Sequence, residues 1–117
     1  MNYFKNFDQI VSRGNRRMRA EAMEILNAGL LMADPGKATH DLVKLDGKDL
    51  LIGQKKYLLS SFPGIYVIGA GKATFPIAKA LDTILGNHIT DGIVTCKDGQ
   101  EGKLENIRRS GRGRRGP

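Results

Sequence analysis

Two glycines and a lysine, Gly69, Gly71 and Lys72, form the segment of this chain with the clearest potential for chemistry. They follow an apolar run over residues 65–68 that is rich in β-branched residues, and a helical pattern of apolar residues begins at Ala73. This order predicts a buried strand, a glycine turn and the start of a helix. The backbone N–H groups and the positive dipole end of such a helix attract anions. The segment therefore predicts a site for phosphate, at which Lys72 adds a positive charge.

The same segment has a second, purely structural interpretation. Gly-x-Gly between a strand and a helix can simply let the helix pack closely on the sheet, with Lys72 in solvent. Two standard nucleotide motifs are not met. A P-loop requires glycine and serine or threonine at positions where this chain has Tyr66 and Ala73. The dinucleotide fingerprint requires a third glycine where Thr74 stands.

A second apolar run, residues 92–96, follows a predicted helix over residues 73–85 with Gly86 as its C-cap. Strand, helix and strand at this spacing predict a right-handed βαβ unit with parallel strands. Ligands of such sheets bind at the carboxyl ends of the strands. Lys72 and Lys97 lie at the C-terminal ends of the two predicted strands, so both are expected at that edge. Two lysines at one edge favour the phosphate site over the structural alternative.

The elements before the glycine turn are predicted to be a long helix and a small hairpin. Residues 8–33 carry an approximate apolar stripe opposite arginines and glutamates, with Asp8 as the expected N-cap. A short helix is predicted over residues 37–44, and two short strands over residues 49–52 and 56–59 around a glycine turn. The predicted fold class is α/β: a partial Rossmann-like parallel βαβ sheet, preceded by a long N-terminal helix and a small hairpin.

Composition and length are those of one ordinary globular domain. The chain has 117 residues, of which 40% are hydrophobic and 26% are charged. No apolar run approaches the ~20 residues of a membrane span, and the N-terminus does not resemble a signal peptide. A single cysteine, Cys96, is consistent with a reducing compartment. A cytoplasmic protein without a membrane partner is expected.

The net charge of +7 comes mainly from one segment. Residues 108–117 contain five arginines and no acidic residue, and subtracting these five from 19 basic residues leaves 14 against 12 acidic ones, a net charge of +2. The remainder of the chain therefore does not predict nucleic-acid binding. The alternative is a small basic RNA-binding protein that acts through this Arg/Gly segment, although the segment lacks an aromatic residue for base stacking.

Several segments, taken in order, resemble the N-terminal portion of the glycerate 2-kinase family, the type that is associated with a MOFRL domain. The resemblance covers roughly residues 13–107. It is carried by an arginine-rich first helix that leads into residues 30–35, by the Gly53 hairpin, by the Gly-Ala-Gly-Lys-Ala segment of residues 69–73, by residues 77–81 and 91–94, and by Lys97 and Gly99.

The resemblance implies phosphorylation of the 2-hydroxyl of D-glycerate with ATP and Mg²⁺. It implies that Lys72 works at the active site, where it contacts phosphate or the substrate carboxylate. Gly69 and Gly71 are then expected to allow close approach to the backbone, and Lys97 is a further candidate for binding phosphate or substrate. Nucleotide and glycerate are the partners expected of the intact parent enzyme.

The chain also departs from the family. From Arg108 onward we expect no counterpart in the family, and the Gly-His-Pro segment and the several hundred residues that follow in the family are absent. A histidine common in the family is Gln100 here. This pattern is typical of a truncated or frameshifted gene product. We therefore expect residues 1–107 to be the N-terminal part of a glycerate kinase α/β domain, residues 108–117 to be a disordered tail, and the isolated chain to be inactive. An incomplete α/β domain without function is a third interpretation.

Overall fold

The computed structural model describes residues 2–97, 99–100 and 102–110. These residues form four α-helices, two short 3-10 helices and six strands. The helices are α1 (Phe7–Val11), α2 (Arg16–Met32), α3 (Pro35–Leu42) and α4 (Thr74–Leu85), with 3-10 helices at Leu59–Ser61 and Gly86–His88. The strands are β1 (Val43–Asp46), β2 (Asp49–Ile52), β3 (Lys55–Leu58), β4 (Tyr66–Ala70), β5 (Asp91–Thr95) and β6 (Arg108–Ser110).

The strands form two separate sheets of three strands each. In the first, which we call sheet A, β1, β2 and β3 are antiparallel neighbours in chain order. In the second, sheet B, β4 and β6 both run parallel to the central strand β5. The connection from β4 to β5 contains α4, so the predicted parallel βαβ unit and the α/β class are confirmed.

One face of sheet B packs against α4 and carries the hydrophobic core. The most enclosed side chain is Val94 in β5, with 1% of its surface exposed. The other members of the buried cluster come from α4, from the segment before β5 and from the segment before β6: Ala78, Leu85, Ile89, Leu104 and Ile107. The predicted helix over residues 73–85 is confirmed, and it ends at Gly86, whose φ of 50° favours glycine.

The opposite face of sheet B carries no described element. Tyr66 and Ile68 in β4 are 66% and 83% exposed, and Ile93 in β5 is 43% exposed. Because successive side chains of a strand point to opposite faces, Ile93 lies in solvent while its neighbour Val94 is buried. We call this surface, defined by Tyr66, Ile68 and Ile93, the bare face of sheet B.

The predicted single helix over residues 8–33 is wrong, because the chain forms two helices there. Gly14 has φ +64°, a left-handed conformation that interrupts the helical hydrogen bonds between α1 and α2. Asn15 then starts α2, since its Oδ1 accepts a hydrogen bond from the Met18 backbone N–H at 3.1 Å. Asp8 is not the N-cap of α1, which is Asn6, without a side-chain capping bond.

The helix predicted over residues 37–44 is present but shifted towards the N-terminus. It begins at Pro35, because Asp34 Oδ1 accepts from the backbone N–H groups of Gly36 and Lys37 at 2.8 and 3.3 Å. It ends at Leu42, where the chain enters β1. Strand β1 was not predicted; it pairs with β2, so the predicted two-stranded hairpin is a three-stranded sheet.

The segment predicted to be a disordered tail contributes a strand. Residues 108–110 form β6, and Arg108, Arg109 and Ser110 pair in register with residues 93–95 of β5. The prediction of disorder is therefore wrong for these three residues, since backbone pairing with the open edge of β5 holds them. The rest of the predicted tail, residues 111–117, lies outside the described residues. The division of the chain at residue 107 stays a prediction.

Candidate anion-binding edge of the parallel sheet

The turn after β4 depends on glycine at two positions, for two different reasons. Gly71 has φ +119°, which side chains other than hydrogen rarely allow, and its carbonyl accepts from the Thr74 N–H at 3.3 Å. At Gly69, a Cβ atom would lie 3.1 Å from Thr74 Cγ2 and 3.5 Å from Val94 Cγ1. Gly69 thus lets the first turn of α4 approach the sheet. Turn geometry and packing account for both glycines without a ligand.

The N-terminal end of α4 has no negative charge of its own. Its N-cap, Ala73, has no side chain that could accept a hydrogen bond, and the first turn contains no acidic residue. Within α4 itself, the positive end of the helix dipole is therefore not compensated. Lys72, directly before the N-cap, is exposed. This end of α4 can attract an anion.

The pairing of β4 with β5 puts the two predicted lysines at one edge of sheet B. Ala70 and Thr95 are partners in the parallel register, and Lys72 and Lys97 each lie two residues beyond them. Both lysines are exposed. The prediction that they share the carboxyl edge of the strands therefore agrees with the register. Whether they bind phosphate or substrate stays a prediction.

Gln100 joins the loop after β5 to the glycine turn. Its Nε2 donates a hydrogen bond to the Lys72 carbonyl oxygen at 3.3 Å. Its Oε1 is enclosed and has no hydrogen-bond partner among the described residues. A buried acceptor without a partner is costly, so this oxygen is available to a donor from a ligand or a water molecule.

Arg109 in β6 contacts the same loop, which connects β5 to β6. Its two terminal guanidinium nitrogens donate to the carbonyl oxygens of Gly102 and Gln100 at 2.9 and 2.8 Å. The guanidinium also lies over the Phe75 ring, with 5.0 Å between its central carbon and the ring centroid. Sequence reasoning missed this residue, because it assigned residue 109 to the tail and no local pattern marked it.

Asp82 fixes the segment that precedes β6, and it too was missed. Its buried carboxylate accepts from the backbone N–H groups of Glu105 and Asn106 at 2.8 and 2.9 Å, and from Asn106 Nδ2 at 3.0 Å. Burial acts to raise the pKa of the Asp82 carboxyl, but these three hydrogen bonds together outweigh it, and the pKa is lowered from its usual value. Asp82 is therefore an anchoring group, held ionised by its donors.

The described cationic groups at this edge are suited to an anion. No group of three or more His, Cys, Asp or Glu side chains that could hold a metal occurs among residues 2–97, 99–100 and 102–110. The described groups at the edge include two lysines and the N-terminal end of a helix, which are electrostatically suited to phosphate or carboxylate.

The fold and the edge define the class: a parallel α/β unit with a glycine turn and a positively charged carboxyl edge. Residues 21–113 match the family model described as "Domain of unknown function (DUF4147)", the N-terminal domain of glycerate 2-kinases. The match covers most of the chain, so the chain belongs to this family. The predicted resemblance is confirmed. The match also continues past residue 107, so the expectation that nothing from Arg108 onward has a counterpart is wrong.

Similar proteins include two curated glycerate kinases. The chain is 26% identical over 87 residues to glycerate kinase of Rattus norvegicus and 25% identical over 87 residues to glycerate kinase of Homo sapiens. Each alignment covers 73% of this chain and 16% of the relative. The chain thus spans about a sixth of the length of these two relatives.

A solved structure has the same fold over most of the chain. The crystal structure of the PH0495 protein from Pyrococcus horikoshii OT3 matches with a TM-score of 0.68 and 26% sequence identity. The match covers 86% of this chain and 22% of that chain. In the part of the chain that the structure describes, no helix combines the length and the apolar character needed to cross a membrane.

Proposed function

We propose that this chain is the N-terminal part of an ATP-dependent glycerate 2-kinase, which transfers a phosphoryl group from ATP to the 2-hydroxyl of D-glycerate. The observation that carries the proposal is the family match over residues 21–113. The positively charged edge of sheet B lies within that matched region and supports it. An enzyme of this kind has two anionic substrates, ATP and the glycerate carboxylate, and needs cationic groups for both.

Lys72 is the residue that we expect to contact phosphate or the substrate carboxylate, and Lys97 adds a second positive charge. Phosphoryl transfer depends mainly on positioning and on neutralising the charge of the transferred group, which two lysines and a helix N-terminus can provide. Gly71 gives the turn its φ of +119° and leaves its backbone free of a side chain, so that a phosphate can approach the turn closely, while Gly69 lets the first turn of α4 pack on the sheet.

Mg²⁺ belongs to the proposed reaction, but we assign none of the described residues to it. Kinase sites usually hold Mg²⁺ with one or two carboxylates together with the phosphates of the nucleotide. The described residues contain no cluster of three possible metal ligands.

We also propose that the isolated chain does not catalyse the reaction. It spans 16% of the curated relatives and 22% of the matched solved chain. The exposed positions of Lys72 and Lys97 mean that no described residue encloses a substrate there. Water would remain at the reacting groups, which weakens every electrostatic contribution.

The proposal is tested by measuring the ATP dissociation constant of the full chain and of three lysine variants. Lys72→Met and Lys97→Met should each weaken ATP binding by about threefold to tenfold, since tenfold corresponds to ~1.4 kcal/mol. Lys48→Met, at an exposed turn of sheet A, removes the same charge and should leave ATP binding unchanged. Equal weakening by all three variants would indicate unspecific attraction and contradict the proposed site.

An activity assay tests the second part of the proposal. The full chain with ATP, Mg²⁺ and D-glycerate should form no phosphoglycerate above the rate without protein. Formation of phosphoglycerate that Lys72→Met abolishes would support the assigned reaction and contradict the expected inactivity.

A further inference from the structure

We propose that Arg109 is a positioning residue, which holds the loop between β5 and β6 against the first turn of α4 and so fixes the places of Lys72 and Lys97. The proposal rests on the proposed function, because it concerns the same edge of sheet B. The residues involved are Arg109, Phe75, Gln100 and Gly102.

The Arg109 side chain holds the loop between β5 and β6 by two hydrogen bonds. Its guanidinium donates to the carbonyl oxygens of Gln100 and Gly102 at 2.8 and 2.9 Å. Those two residues lie within the loop that follows β5 and contains Lys97. Charged donors make stronger hydrogen bonds to carbonyl oxygens than neutral ones do, so one side chain closes the loop at two points.

The second step links the loop to the glycine turn. Gln100, whose carbonyl oxygen accepts from Arg109, donates from its own Nε2 to the Lys72 carbonyl oxygen at 3.3 Å. Loss of Arg109 therefore frees the residue that contacts the Lys72 backbone. Arg109 thus connects the loop after β5, which contains Lys97, to the glycine turn, which contains Lys72.

The third step is the contact with α4. The guanidinium of Arg109 lies 5.0 Å from the centroid of Phe75, the second residue of that helix. Gly102 packs on the same ring, since a Cβ atom there would collide with Phe75 Cζ. The ring thus separates the loop from the helix by one layer of atoms and sets their spacing.

Arginine is required at this position, and its neighbour provides a matched control. Lysine carries the same charge but lacks the planar group that donates two hydrogen bonds in fixed directions while stacking on a ring. Arg108 is the register partner of Ile93, and Arg109 is that of Val94, so the two arginines lie on opposite faces of sheet B. Arg108 pairs with Asp91 at 3.0 Å, away from the loop.

Hydrogen exchange of the full chain tests, without any ligand, whether Arg109 holds the loop between β5 and β6. In Arg109→Lys, the amide of Gln100, which donates to the Lys97 carbonyl oxygen at 3.4 Å, should exchange roughly tenfold faster, while those of residues 92–94 in β5 keep their rates. Arg108→Lys should leave the loop unchanged. If Arg109→Lys lowers protection throughout the chain, Phe75→Leu gives the same test, since it removes the ring and keeps an apolar side chain. Unchanged loop exchange in both variants would overturn the proposal.

Titration with inorganic tripolyphosphate tests the consequence for the lysines. Arg109→Lys, which keeps the net charge, should weaken binding about threefold or more, and Arg108→Lys should not weaken it. A loop that opens without any loss of tripolyphosphate affinity would overturn the positioning role. If the unmodified chain binds no tripolyphosphate, the proposed phosphate site fails, and the exchange result alone decides whether Arg109 holds the loop.

Discussion

The two faces of sheet B are made by the same three strands and have opposite surroundings. On one face Val94 packs beneath α4 with 1% exposure, while on the other face Ile68 is 83% exposed. Parallel sheets are found almost only with both faces covered, because their connections place helices on the faces. The described chain thus completes one face of the sheet and leaves the other apolar and open.

This difference agrees with the share of its relatives that the chain spans. An apolar face of a parallel sheet is ordinarily covered by further elements of the same domain. The chain spans 16% of each curated glycerate kinase and 22% of the matched solved chain. We expect the chain alone to have marginal stability and a tendency to associate through the bare face.

The largest expected effect is the difference in the free energy of unfolding between truncating a buried isoleucine and truncating an exposed one. Ile89, in the core cluster, is 6% exposed, and Ile68 is 83% exposed. Ile89→Ala should lower the free energy of unfolding by about 2–5 kcal/mol, since it leaves a cavity. Ile68→Ala should change it by about 0.5 kcal/mol or less. Urea denaturation measures both, and equal losses would mean that the bare face is covered in solution.

A smaller effect is expected on the covered side at Asp82. Asp82→Asn should lower the free energy of unfolding by about 1–3 kcal/mol at pH 7, because buried N–H groups lose a charged acceptor. The pKa of Asp82 is lower in the folded chain than in the unfolded one. Its contribution is therefore complete above the unfolded value of about 3.9 and is lost as the pH falls through the folded value.

Urea denaturation of the native chain and of Asp82→Asn between pH 7 and pH 3 checks this dependence. The difference in stability between the two proteins should be largest near pH 7 and should shrink below about pH 4. Asp46→Asn is the control, because Asp46 is exposed at the end of β1. A difference that grows as the pH falls would contradict the assigned role of Asp82.

A positive charge introduced on the bare face should have the smallest effect on stability. It should nevertheless have a clear effect on association. Ile68→Lys should raise several-fold the protein concentration at which the chain associates, because the charge must be desolvated in any contact. Its free energy of unfolding should stay within about 0.5 kcal/mol of the native value. Sedimentation measures association. Gln54→Lys, at an exposed turn of sheet A, adds the same charge and should have no such effect.

Local signals in the sequence predicted the central part of the fold. The apolar run before Gly69, the helical pattern after Ala73 and the cap at Gly86 are each encoded by neighbouring residues, and together they imply the parallel pair β4 and β5. The same rules placed Lys72 and Lys97 at one edge. The break between α1 and α2 was missed because the apolar stripe continues across it, although Gly14 already weakened the helical pattern.

Contacts between residues distant in the sequence could not be predicted in this way. Strand β6 consists of two arginines and a serine, and it forms because the edge of β5 is available for pairing. Asp82 binds backbone groups 23 and 24 residues away, and Arg109 reaches Phe75 across the sheet edge. Such partners are chosen by the tertiary structure, so composition alone suggested a tail where the structure has a strand.

A residue-resolved NMR titration of the full chain with ATP tests the phosphate-binding edge most directly. We expect the largest amide shifts at residues 72–75 and at Lys97, the carboxyl edge of β4 and β5, and we expect Lys72→Met to reduce them. Residues of the bare face should not respond. Shifts confined to the arginine-rich C-terminal segment, or spread evenly over all lysines, would contradict a phosphate-binding edge on sheet B.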